Sequence, residues 1–242
     1  MVIKLSCTYL LKEYYVQYLK KIRNNSVSTI GHYLSALDVI SLYLVGKKQI
    51  KSSLYEIMDL VNLQEVRDNL YKDSIFVSKD ERGHRMYSAA FNNYFRFASG
   101  ETFLAIHNEI PVMDMAIPIA NKNTQIIETS KRSSIIKNQV IMSSGYKCEI
   151  NENHKTFTSD STRHPYMEGH HGIPISKQYK FNYSLDVYAN IISLCPICHR
   201  LLHHGICDEK TEVLKMIYYL RSDRLCRSGL RISQDEFVNL SL

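Results

Sequence analysis

No apolar run in this 242-residue chain approaches the ~18 residues that a membrane span requires, so a membrane partner is not expected. The opening stretch, MVIKLSCTYLLKEYY, has too short an apolar run for a secretory leader, and a charged helical pattern follows it directly. The expected location is therefore the cytosol. A disorder-promoting composition is also missing: 45% of residues are hydrophobic and 22% charged, as in ordinary folded chains. Nor does one sign of charge dominate. Lys plus Arg number 30 against 24 Asp plus Glu, and the resulting +6 favours a polyanionic partner only mildly. The length suits one large domain or two modest ones.

Six cysteines stand at 7, 148, 195, 198, 207 and 226. In a reducing compartment a close Cys pair beside His reads as metal binding and not as a disulfide. Cys7, Cys207 and Cys226 have no partner at ligand spacing and read as plain buried or surface thiols.

The first hundred residues have helical periodicity. In LLKEYYVQYLKKI, Leu10, Leu11, Tyr14, Tyr15, Tyr18, Leu19 and Ile22 recur at three- and four-residue steps. The cluster Ser26-Val27-Ser28-Thr29 caps a second helix that ends near Gly46. Further helices are expected over Ser52–Met58, Leu63–Tyr71 and from Met86 to Gly100. Val27, Thr29, Tyr33 and Leu37, with a later Asn-Asn-Tyr94-x-x-Phe97, resemble the helical core-binding domain of tyrosine recombinases, although Tyr and Leu at helical spacing usually mean core. Pro111 and Pro118, followed by Asn-Lys-Asn-Thr, interrupt the pattern. A helix is then expected over Lys131–Ser143, and another from Glu209 to Leu225. The expected division is a helical targeting domain at 1–108, a linker at 109–130 and a second domain at 131–242.

The densest chemistry lies between Tyr166 and Gly205: a His170-His171 pair followed by Ile-x-Pro, Asn190, Cys195-x2-Cys198 and His199-x3-His203. In that order these features resemble the HNH nuclease motif of the ββα-metal class. The resemblance covers Gly145 to Gly205. It implies an α+β, mostly helical protein: a helical bundle followed by a ββα-metal nuclease domain that holds zinc. It further implies a metal-dependent endonuclease acting on double-stranded DNA.

On that resemblance His171 matches the general base and His170 the metal ligand before it. His199 and His203, at i and i+4, share a helix face and join His170 on the catalytic ion. Asn190 matches the middle letter; its carboxamide is expected to hold the loop backbone behind the base. HNH enzymes commonly use magnesium or manganese, and an imidazole-rich set also accepts nickel. Successive side chains on a regular strand point to opposite faces, so the His pair should lie where the strand ends or bulges, with Gly169 and Gly172 permitting it. Glu168 shares a face with His170 and can orient a histidine.

Cys195-Pro-Ile-Cys198 presents two thiolates to one tetrahedral ion. A second Cys-x2-Cys is missing; the earlier loop offers Cys148-x5-His154 instead, giving a Cys3His set for a structural zinc. Arg163, Lys177, Lys180 and Arg200, with Arg221, Arg224 and Arg227 further on, are the candidate phosphate contacts. A restriction or defence nuclease, acting as a homodimer for double-strand breaks, is the leading expectation. A homing or mobile-element nuclease and a non-cleaving, zinc-stabilised DNA-binding protein are the alternatives.

Overall fold

Tyrosine and leucine at helical spacing build the first of two compact units, residues 9–102, in the computed structural model, which describes residues 9–105, 110–119 and 132–242. Helix α1 spans Leu10–Gln17 and continues as a π-helical turn over Tyr18–Ile22. Helix α2 spans Val27–Gly46, and the Ser26 side chain accepts the Thr29 N–H at its start. The helix expected over Ser52–Met58 is only a single 3-10 turn, Leu54–Glu56. Its cause is local: the Glu56 carboxylate accepts the N–H groups of Lys51 and Ser52 at 2.6 and 3.0 Å, closing the turn on itself. Helices α3 (Leu60–Lys72), α4 (Ser74–Arg82), α5 (Met86–Ser99) and α6 (Glu101–Ala105) follow. The sequence reading did not anticipate α4; Asp73 closes α3 by donating its backbone N–H to Leu70 O, and its carboxylate caps α4 by accepting the Ile75 N–H at 3.0 Å.

The unit's core is aromatic. Tyr14, Tyr15, Tyr55, Phe91, Tyr94 and Phe97 are fully buried. Tyr94 meets the rings of Tyr15 and Tyr55 edge-on at 5.1 and 5.2 Å between centroids, an arrangement the ring quadrupoles favour. Leu37, Tyr94 and Phe97, which carry the likeness to recombinases, are core residues here. Helix α2 corrects the reading of apolar runs. Its 20 residues, with a mean hydropathy of 1.2, are long and apolar enough to cross a membrane by length and composition. Ser, Thr, His and Asp break the uninterrupted run but leave the average high, and Ala36, Leu37, Ile40, Ser41 and Leu44 of the same helix lie in the core.

The second unit holds α7 (Ser134–Ser143), strands β1 (Glu168–His171) and β2 (Ile191–Leu194), and helices α8 (Pro196–His204), α9 (Cys207–Arg227) and α10 (Gln234–Ser241). The chain is thus α+β and mostly helical, with one two-stranded sheet among the described residues. The strands are antiparallel in unbroken register, from Glu168 opposite Leu194 to His171 opposite Ile191. Helices α7 and α8 both pack on this sheet. Of the two arrangements expected for the His pair, the ladder has no bulge and β1 instead ends at His171. Gly169 is required because a Cβ there would collide with the Lys137 side chain crossing from α7, and one at Gly172 would meet the Phe237 ring of α10 at 2.9 Å. Helix α10 was also not anticipated. Of the expected linker, 109–130, residues 109 and 120–130 lie outside the described residues; Ile110–Met113 form a 3-10 turn and Pro118 bridges to Tyr183. Residue 131, the expected start of α7, is likewise outside them; the helix begins after Ser133, whose hydroxyl accepts the Ile136 N–H.

Helix α5 begins behind Arg85, whose side chain makes no cap and whose φ is 60°. The cap is supplied from α4: Asp80, 7% exposed, accepts the N–H groups of Tyr87 and Ser88, each at 3.0 Å. Replacing Asp80 with Ala strands both donors and should lower unfolding stability by about 1–3 kcal/mol in denaturant titration. An unchanged midpoint would show that α5 needs no cap.

Candidate active site

Two side-chain clusters, with different architecture, emerge from the second unit. The first is built around the start of α8. Cys195 is the N-cap of that helix, its sulfur accepting the Cys198 N–H at 3.5 Å, and Pro196 takes the first helical position, where no N–H is needed. The Cys-Pro-Ile-Cys knuckle is therefore a helix start. Cys148 arrives from a loop running beside β2: Glu149 N–H donates to Ser193 O at 2.9 Å, and Ser193 returns its N–H to the Glu149 carboxylate and its hydroxyl to Lys147 O. Arg221 of α9 ion-pairs with the same carboxylate from a position only 4% exposed. His154 Nδ1 lies 3.6 Å from Cys195 Sγ and 3.4 Å from Cys198 Sγ.

All four donor atoms of Cys148, His154, Cys195 and Cys198 lie within 4.8 Å of one another. A tetrahedral ion with thiolate ligands needs separations of roughly 3.8 Å, so the set fits a metal with every position filled by protein. The ionisation pattern agrees. Burial raises the Cys148 thiol, but the N–H groups of Cys195, Asn151 and Ile150, with His154, outweigh it and bring the thiol down to about 7. Burial pushes the Cys198 thiol up, and its sulfur neighbours at Cys148 and Cys195 push it further. The Cys148 and Cys198 thiols are thus driven in opposite directions, and a bound dication would favour the thiolate of both.

The second cluster is histidine. His170 of β1 meets the rings of His199 and His203 of α8 edge-on at 5.2 and 5.1 Å, and those two rings are 4.7 Å apart. One ring nitrogen from each lies within 4.8 Å of the others. Burial, followed by the neighbouring His199, His203 and His171, holds His170 down to about 3, so its ring is neutral and has a lone pair for a cation. Burial also lowers His199, while the facing carboxylate of Glu168 works the other way. Glu168 Oε2 lies 2.5 Å from His199 Nδ1 and its other oxygen accepts the Tyr166 hydroxyl at 3.3 Å, fixing which His199 nitrogen remains free. With three protein donors the cluster leaves coordination positions open.

His171 does not join this triad. It is the last residue of β1, and its Nε2 lies 2.8 Å from Asp186 Oδ1. His171 nevertheless shares a region with two members of the triad, because His171, His199 and His203 together line an open groove of about 500 Å³. Asn190, 1% exposed, sits behind the strand end: its amide donates to Ile173 O and Leu185 O, both at 2.9 Å, and its oxygen accepts the Ile173 N–H at 2.7 Å. It belongs to neither side-chain cluster and acts on the backbone alone.

Of the expected phosphate contacts, only Arg200 lines the groove; Arg132 and Lys137, which the sequence reading passed over, line it as well. Arg163 pairs with Asp160 at 3.3 Å in an exposed turn, and Lys177 and Lys180 lie on the 3-10 turn Ile175–Lys180. Arg221 and Arg224 are paired internally with Glu149 and Asp114. Asp186 was also missed: it stands 15 residues from His171, and no spacing rule links them.

Comparison with known proteins agrees with this geometry. Residues 148–205 match the model of the HNH endonuclease family. The type IV methyl-directed restriction enzyme EcoKMcrA of Escherichia coli (strain K12) is 32% identical over 88 residues, which is 36% of this chain and 28% of the relative. The match therefore spans under a third of that enzyme's length. No solved structure matches the chain significantly.

Two outcomes follow for the site. The purified protein should retain one metal equivalent per chain after dialysis against a weak chelator, and Cys198→Ser should lose that equivalent with a fall in Tm. Metal content that survives the substitution would remove the closed site. Asn190→Ala leaves one buried N–H and two carbonyls without their side-chain partner and should cost about 1–3 kcal/mol of unfolding stability. A variant as stable as the parent would refute that scaffold role.

Proposed function

We propose that the chain is a metal-dependent HNH endonuclease that hydrolyses double-stranded DNA, with a restriction or defence role in the cytoplasm. The observation that carries this reading is the three-imidazole cluster of His170, His199 and His203, two of whose members share with His171 a groove also lined by Arg132, Lys137 and Arg200. The closed Cys3His set takes a structural zinc, and the histidine triad takes magnesium or manganese, with nickel also accepted by its ligand type. A divalent cation held by His170, His199 and His203 would supply Lewis acidity to the scissile phosphate.

His171 takes one proton from a water molecule. The oxygen of that water forms a bond to phosphorus as the bond from phosphorus to the sugar oxygen breaks, and the departing oxygen takes up a proton from solvent. Arg132, Lys137 and Arg200 contact phosphates and hold the backbone in register without reading bases. Lys177, Lys180 and Arg163 extend the same salt-sensitive contact on the surface. The helical unit, residues 9–102, selects the target, and a homodimer supplies the second active site for a double-strand break. The presence together of His170, His171, Asn190, His199 and His203 argues against a non-cleaving binding protein. The length of the recognised site separates a restriction enzyme from a homing nuclease.

Plasmid cleavage with magnesium, manganese or nickel is the test, on matched methylated and unmethylated DNA. His171→Ala should cut at least 100-fold more slowly while keeping its metal content. Equal rates for parent and variant would overturn the mechanism, and binding without cleavage under every metal would restore the non-cleaving alternative. Preference for methylated DNA would extend to this chain what the relative's name states.

A further inference from the structure

We infer that Asp186 sets the tautomer of His171, holding the ring proton on Nε2 and leaving the Nδ1 lone pair as the base. The second half of this inference rests on the general-base role given to His171 above; the first half does not.

An ionised carboxylate only accepts hydrogen bonds, so the 2.8 Å contact between Asp186 Oδ1 and His171 Nε2 requires the proton to be on Nε2. The contact is sheltered, with the two side chains 14% and 10% exposed. The carboxylate cannot turn away freely. Its second oxygen, Oδ2, accepts the N–H of Ser133 at 2.8 Å, and the Asp186 N–H itself donates to Ser184 Oγ at 3.1 Å. Ser133 is the N-cap of α7 and is 1% exposed, so the acceptor is anchored to a helix start. Nδ1 of His171 makes no hydrogen bond among the described residues, while the residue lines the groove that holds His199 and His203. One nitrogen is thus committed to Asp186, and the other is available to water. Asp186 does not touch the reacting atoms; it is a positioning residue.

The two carboxylate oxygens give an asymmetric prediction for amide replacement. In Asp186→Asn the amide oxygen is drawn to the Ser133 N–H, which can only donate. The amide nitrogen then faces His171 and donates to Nε2, forcing the proton onto Nδ1 and removing the lone pair. Asp186→Ala removes the partner without imposing the wrong tautomer. The near-isosteric change should therefore be the more damaging one, which a merely structural role would not produce.

The experiment is a long-range proton–nitrogen NMR correlation on the metal-loaded, nitrogen-15-labelled protein, at a pH where the ring is neutral, with His171 assigned from the spectrum of His171→Gln. The expected result is a protonated Nε2 and an unprotonated Nδ1 in the parent, and the reverse in Asp186→Asn. With saturating DNA, Asp186→Asn should cut on the order of 100-fold more slowly at unchanged KM and metal content, and Asp186→Ala should lose less. A parent ring protonated on Nδ1, or exchanging between tautomers, overturns the inference, and that spectrum decides even where a variant fails to fold. Asp186→Ala at least as impaired as Asp186→Asn would also overturn it. A parent with the Nε2 proton that cuts no DNA supports the tautomer assignment and removes the nuclease reading instead.

Discussion

The period-two alternation of β1 is the constraint on which the rest of the site depends. The strand is only four residues long, yet it divides adjacent histidines between two faces. Glu168 and His170 turn toward α8, where they meet His199 and His203. Gly169 lies under Lys137 of α7, and His171, on the same face, meets Asp186. A slip of one residue would exchange His170 and His171. The triad would lose His170, which would stand beside Asp186 in place of His171. Register is therefore a chemical requirement here as well as a packing one.

Several polar contacts pin that register from outside the ladder. Beyond its last pair, the Gly172 N–H donates to Asn190 O at 2.8 Å, and the Asn190 side chain then holds Ile173 and Leu185. On the outer edge of β2, Glu149 and Ser193 exchange hydrogen bonds, and Arg221 neutralises the Glu149 carboxylate. Burying so many polar groups is tolerated because nearly all are paired with backbone or with opposite charge. The Glu149 network also carries Cys148 into its cluster, while the Asn190 network leads into β2.

The residue types that gather in the two clusters were legible because their spacing is set by covalent geometry. Two cysteines three apart, and two histidines four apart, face the same way on any helix. The partners of those residues were not legible. Asp186, Glu149 and Arg221 act across loops whose course no local pattern encodes, and Arg132 and Lys137 reach the groove only because α7 crosses the sheet. Glycine misled for a related reason. Gly169 and Gly172 read as backbone freedom, whereas both admit a neighbouring side chain to a regular strand. Helices α4 and α10 are short, nine and eight residues, and each buries two residues, so neither shows a sustained period.

The two clusters share a single short helix. α8 has nine residues, too few to hold helical structure alone, and it carries Cys195 as its cap, Cys198 in its first turn and His199 and His203 behind them. An ion in the Cys3His set would clamp the N-terminus of α8 to the loop of Cys148 and His154, and so fix the azimuth at which the two histidines face His170. The reverse dependence is weaker, because the triad's open coordination constrains only the second half of the helix. Order in the closed cluster is thus a condition for geometry in the open one. The same helix links the fold's local stability to its chemistry.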